Sequence, residues 1–193
     1  MGEKKIVGLA LCGSYCSYDK VFAAAGVLAE KYELIPIMSG TAAETDSRFG
    51  MAEENMRRLA ELTGHADVVT TIAAAEPLGP ARPMDALLIA PCTGNTLAKL
   101  AHGITDSAVT MAAKAHLRNG RPLVLAISTN DGLSGSAENI ARLLNRKSVY
   151  FVPFGQDDPA KKPCSLQADF SLMYASVEAA MAEAQLQPIL TAK

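Results

Sequence analysis

Four short runs of Gly, Ser, Thr and Asn carry the chemistry in this sequence: Gly13-Ser14, Ser39-Gly40-Thr41, Thr93-Gly94-Asn95-Thr96 and Ser128-Thr129-Asn130. Hydroxyl side chains and free backbone N–H groups at the start of a helix bind an anion without a formal positive charge. Read alone, each run is also ordinary turn and capping chemistry. Each follows an apolar stretch, however, and four such runs at one sheet edge point to a phosphate-bearing ligand. The first is not a GxGxxG sequence, because Gly13 is followed by Ser-Tyr-Cys-Ser, so a dinucleotide fingerprint is absent. Asn95 admits two readings, a helix N-cap or an amide that offers a carbonyl and two N–H donors to a ligand.

Other reactive side chains do not cluster. Cys12, Cys16, Cys92 and Cys164 form no CxxC pair and have no accompanying His spacing, so no metal site is expected. Without a secretory signal, reduced thiols in a cytoplasmic protein are the default. Cys12 and Cys92 fall at the ends of apolar runs, where a small buried side chain explains them. His65, His102 and His116 read as helix-surface or core residues. No catalytic residue is identifiable. The formal net charge of -2 argues against nucleic acid or an anionic membrane as partner. No apolar run approaches the roughly 18 residues that cross a bilayer.

Loops can share an edge only if the elements between them alternate, and they do. Lys5–Leu11 reads as a buried strand, followed by a helix from about Ser17 with Asp19 in its first turn, where a negative charge suits the helix dipole. Leu34–Met38 is a second strand, made an edge or irregular one by Pro36. It leads into a polar loop, Ser39–Gly50. A helix over Glu53–Leu62 stops at Gly64. Residues 65–83 are ambiguous: Val68–Ile72 fits a short strand, and Glu76–Pro83 is loop. Ala86–Ala90 and Pro122–Ile127 are continuous apolar runs, as in parallel strands covered on both faces. Between them lie a helix striped with Leu97, Leu100, Ala101 and Ile104, and another for which Asp106 is the expected N-cap and Gly120 the stop. A helix carrying Ile140, Leu143 and Leu144 precedes the strand Ser148–Val152. Pro153–Gln167 reads as a surface loop. The last helix starts at Asp169, and its stripe of Phe170, Met173, Tyr174, Val177, Met181 and Ala184 is core packing.

Strand–helix alternation over 193 residues predicts one α/β domain: a doubly wound, mostly parallel sheet with helices on both faces, flavodoxin- or Rossmann-like. Such sheets bind ligands outside the carboxyl ends of their strands.

The sequence also resembles the flavoprotein family of homo-oligomeric flavin-containing cysteine decarboxylases and flavin prenyltransferases. There, Gly-Ser after strand one, Ser after strand two and a Pro-Ala-Ser-Ala-Asn-Thr-like motif cradle flavin mononucleotide. Pro91-Cys-Thr-Gly-Asn-Thr96 is this chain's version of that motif. Thr45–Gly50, Ala75–Pro80, Thr105–Ser107, Met111–Ala115, Ile127–Asp131, Pro153–Pro159 and Leu186–Leu190 extend the resemblance over nearly the whole chain. It implies one flavoprotein-like domain over residues 1–193. The FMN contacts would come from Gly13, Ser14, Ser39, Thr41, Thr93, Gly94, Asn95, Thr96, Ser128, Thr129 and Asn130.

Departures from the family are as informative. The decarboxylases carry a catalytic His on the helix after strand two, and Glu53–Leu62 has none. Their Met-Asn motif after the fifth strand is here Thr129-Asn130. Where the prenyltransferases present Arg, Glu and a second Arg, this chain has Ser128, Thr129 and Met111. Neither chemistry is supported. The resemblance implies instead an oxidoreductase subunit acting on a planar dicarboxylate. The hydride would go to flavin here or to NAD(P) on a companion subunit; a flavin-free accessory subunit and an independent decarboxylase or prenyltransferase are the alternatives. A planar dianion calls for cations, and Arg48 is the first candidate, followed by Lys114 and the Lys161-Lys162 pair.

Overall fold

A computed structural model describes residues 4–79 and 84–191. The parallel strands are β1 (Ile6–Leu11), β2 (Glu33–Met38), β3 (Ala86–Cys92), β4 (Leu123–Thr129) and β5 (Val149–Phe151), in the order β2-β1-β3-β4-β5. That is the flavodoxin-like order, and its switch point falls between β1 and β3. The β1, β3 and β4 side chains are almost entirely buried, as strands covered on both faces require. Helices lie on both faces. They are α1 (Tyr18–Lys31), α2 (Gly40–Glu44), α3 (Ala52–Thr63), α4 (Ile72–Ala75), α5 (Gly94–His102), α6 (Ala108–Leu117), α7 (Ala137–Leu144) and α8 (Met173–Met181). Among the described residues no helix is long and apolar enough to cross a membrane.

Pro36 does sit on the outer strand. Its carbonyl accepts from the Val69 N–H at 2.9 Å, and the Val69 carbonyl accepts from Met38 N–H at 2.9 Å. Val69 is therefore a single bridging residue; the short strand expected over Val68–Ile72 gives way at Ile72 to α4, capped by Thr71. Glu76–Leu78 form a 3-10 turn rather than open loop, and Pro80–Pro83 lie outside the described residues. Gly64 ends α3 at φ 71°, as expected.

Four local expectations change. Ser39–Gly50 contains α2, because the Ser39 hydroxyl accepts from Ala42 N–H and starts a turn of helix. The N-cap of α6 is Ser107, not Asp106: Ser107 and Thr110 form a capping box, and Asp106 pairs with Lys99 at 2.9 Å. Ile104 lies beyond Gly103, which ends α5 in the left-handed region, and is exposed. Pro153–Gln167 is not all surface loop. It supplies β6 (Phe154–Gly155) and β7 (Leu166–Ala168), with β7 antiparallel to β4 through Ser128 and Thr129. The parallel partner β5 pairs only with Leu123–Leu125, so the end of β4 is free to take β7. The Phe170, Met173 and Val177 stripe is buried core.

Candidate functional site

At the β1/β3 switch point a cleft of about 350 Å³ opens among the loops after β1, β2 and β3. Each loop is fixed by chemistry its sequence supplies. The Tyr18 hydroxyl donates to the Cys12 carbonyl at 2.8 Å and holds the end of β1. Tyr15 donates to the Thr41 carbonyl at 3.0 Å, tying the first loop to α2. The Thr93 hydroxyl accepts from Thr96 N–H and caps α5, so Asn95 is not the cap. The first-turn N–H groups of Gly94 and Asn95 precede the helix ladder and lack partners within it. With Ser107, the N-cap of α6, also lining the cleft, the N-termini of α5 and α6 lie at this opening beside that of the short α2. Those of α5 and α6 each carry about half a positive charge.

Of the residues expected to contact a ligand, Gly13, Ser39, Thr41, Thr93, Asn95 and Thr96 line this cleft together. The others lie elsewhere. Ser14, at φ 72°, turns its hydroxyl away to donate to the Ser128 carbonyl at 3.1 Å and to meet the Ser128 hydroxyl at 2.9 Å. Ser128 is buried and also meets Ser17 at 2.8 Å. Both serines thus shape the loop after β1 from beneath. Gly94 is small because a Cβ there would stand 2.5 Å from Ser136 Oγ and 2.8 Å from Thr129 Oγ1. Thr129 is hydrogen-bonded to Asp131, and Asn130 is exposed.

None of the cations singled out from the sequence, Arg48, Lys114 or the Lys161-Lys162 pair, lines the cleft. Arg48 is exposed, its guanidinium 4.8 Å from the Phe49 ring centroid. Lys114 lines a different groove, at the far ends of α5 and α6. The cation that does line the cleft is Lys99, paired with Asp106, which also lines it. Sequence reasoning missed both. Lys99 lies on α5 three residues after Thr96, one turn into the helix opened by the motif itself, and that spacing was the available signal.

Besides that pair, the ionisable group lining the cleft is Cys12. Burial pushes its thiol up to about 11, against the smaller lowering effects of the Thr96 hydroxyl, the Thr93 backbone and Lys99. Cys12 is neutral at physiological pH and a poor nucleophile. None of the three histidines lines the cleft. The opening therefore offers hydroxyls, an amide, helix N-termini and one paired cation. Such a donor set suits a phosphate and a polar heterocycle edge, and the carboxylate present, Asp106, is held in an ion pair with Lys99 at 2.9 Å.

The family model described as Flavoprotein matches residues 1–179. The B subunit of dipicolinate synthase from Bacillus subtilis (strain 168) is 46% identical over 187 residues, 96% of this chain and 93% of that protein. The crystal structure of the dipicolinate synthase B subunit from Bacillus halodurans C has a TM-score of 0.90 at 42% identity, covering 99% of this chain and 98% of that one. A dodecameric FMN-dependent Ubix-like decarboxylase from Escherichia coli O157:H7 has a TM-score of 0.59 at 25% identity, over 77% of this chain and 79% of that one.

Proposed function

Because the chain belongs to the flavoprotein family, we propose that it is the B subunit of a dipicolinate synthase. In this role, as a single domain of residues 1–193, it contributes to oxidising dihydrodipicolinate to pyridine-2,6-dicarboxylate during sporulation. Its setting is the cytoplasm of the mother cell, and its companion is an A subunit that holds NAD(P). The observation that carries the reading is the switch-point cleft, lined by hydroxyl and amide donors at two helix N-termini, in a chain 46% identical to a dipicolinate synthase B subunit.

The donor set fits FMN. Gly13, Ser39, Thr41, Thr93, Asn95 and Thr96 would hold it, and when bound it supplies a hydride acceptor at N5. Aromatisation drives the oxidation, so the chain's own task is to orient the ring and exclude water. Lys99, held by Asp106 at 2.9 Å, is the cation available to a carboxylate or phosphate there. The chain is a homo-oligomer in this reading. The exposed Phe49 and Met51 support that assignment, as does the dodecameric relative.

An absorption spectrum of the purified chain tests the cofactor. Flavin bands that titrate with added FMN support the reading, and a colourless chain that binds no FMN leaves a flavin-free accessory subunit. Turnover of dihydrodipicolinate is expected only when the A subunit and NAD(P) are present. Robust turnover by the isolated chain with NAD(P) would overturn the two-subunit assignment.

A further inference from the structure

The two helices whose N-termini line the cleft carry a second groove, of about 320 Å³, at their other ends. Leu100 and Leu117 contribute its apolar part, and Lys114, Arg118, Arg146 and Lys147 are the cations that line it. All four cations are exposed, and none joins any ion pair found among the described residues. Arg146 is steadied by donating from Nη1 to the Leu100 carbonyl at 3.1 Å. Ile104, which also lines the groove, is 48% exposed.

The plain explanation for cations here is the helix dipole. The C-terminal ends of α5 and α6 line the groove, and α7 ends just before Arg146. Three such ends together present about -1.5 charge. Four cations leave a surplus of about +2.5, on a chain whose formal net charge is -2. Dipole compensation does not account for that surplus.

We propose that this groove docks an acidic segment of the companion subunit, one whose apolar side chains cover Ile104 and the half-buried Leu117 while its carboxylates face the four cations. The occupant rests on the two-subunit reading given above. A small dianion is disfavoured, because ligand pockets enclose most of their ligand and use few polar groups, whereas these cations stand in solvent on long stems. Nucleic acid is disfavoured by the acidic balance of the whole chain. Exposed apolar surface ringed by Arg and Lys is how a protein partner is recognised, with the charges steering encounter.

The test measures affinity of the full chain for the purified A subunit at low and high ionic strength, for wild type and for the double variant K114E/K147E. Both side chains are exposed, so the variant should fold, its melting lowered only by the loss of favourable charge at the helix C-terminal ends. The expected result is wild-type binding that weakens with salt, and a variant whose Kd rises at least about tenfold with a shallower salt dependence. Binding by the variant equal to wild type sinks the docking surface and leaves the two-subunit reading intact. Failure of wild type to bind the A subunit at either ionic strength sinks both. Calorimetric titration with pyridine-2,6-dicarboxylate completes the test: saturable binding lost in K114E/K147E would make a small dianion the occupant and overturn the proposal.

Discussion

The Thr96 hydroxyl donates to the Cys12 sulfur at 3.2 Å, joining the end of β1 to the first turn of α5. The thiol is buried there and pushed up to about 11 by that burial. Cys92 is also buried and raised by the same cause, while Cys16 is exposed. A disulfide-exchange reagent at pH 8 should therefore modify Cys16 fast and leave Cys12 and Cys92 until the chain unfolds. Cys16→Ser should remove the fast phase and leave the half-buried Cys164 as the most accessible thiol; rapid labelling of Cys12 in the native protein would contradict the thiol assignment.

Asn95 separates folding from binding. Thr93 is the cap of α5, so Asn95→Asp places a carboxylate in the first turn, which the helix dipole tolerates. Apo melting should be unchanged. Against a phosphate, the same change removes two donors and adds repulsion, so FMN affinity should fall at least about tenfold, or 1.4 kcal/mol. Wild-type FMN affinity would remove Asn95 from the site.

Gly94→Ala should act on stability. The new Cβ meets Ser136 Oγ at 2.5 Å and Asp131 Oδ1 at 2.9 Å, and Ser136 donates to that same carboxylate oxygen at 2.9 Å. Relief of the clash breaks this bond, at a cost of about 1–3 kcal/mol. Denaturant unfolding measures it, and an unchanged midpoint would refute the packing.

His116 sets a pH dependence. It is buried and shares a hydrogen bond through Nε2 with the Pro122 carbonyl at 2.9 Å. Burial lowers its pKa from 6.5 to about 4. The unfolded chain then binds a proton that the folded one refuses, so stability is full above pH 6.5 and is lost as pH falls toward 4. The loss amounts to about 3 kcal/mol. His116→Gln should flatten the slope of unfolding free energy over that range, and a slope equal to wild type would exclude His116 as its source.

Elements with long, unmixed patterns were legible: Ala86–Ala90 and Pro122–Ile127 could be read as strands because nothing polar interrupts them. β7 could not, since Leu166–Ala168 is three residues beside Lys161, Lys162 and Pro163, too short for alternation to register. Asp106 and Ser107 are adjacent and both good caps; Lys99 decides between them, by an ion pair that depends on α5 bringing it to the same loop. In the site, loop composition found six lining residues at once. It could not tell a hydroxyl facing the cleft from one facing inward, as Ser14 does, because that choice depends on backbone at φ 72° and on Ser128 from a strand over a hundred residues away. The cations eluded sequence for a related reason: Arg48 drew attention by lying in a polar loop, whereas the placement of Lys99 depends on helix phase.

Pro36 and Val69 bear on what the chain does when crowded during synthesis. An open strand edge invites a second polypeptide to zip alongside it, the first step toward fibrillar clumping. Here the outward carbonyl of Pro36 and the outward N–H of Met38 are already engaged by Val69, and proline itself has no N–H to offer. The C-terminal part of the β2 rim is thus closed by one residue from a neighbouring loop, leaving a stray strand less to grip.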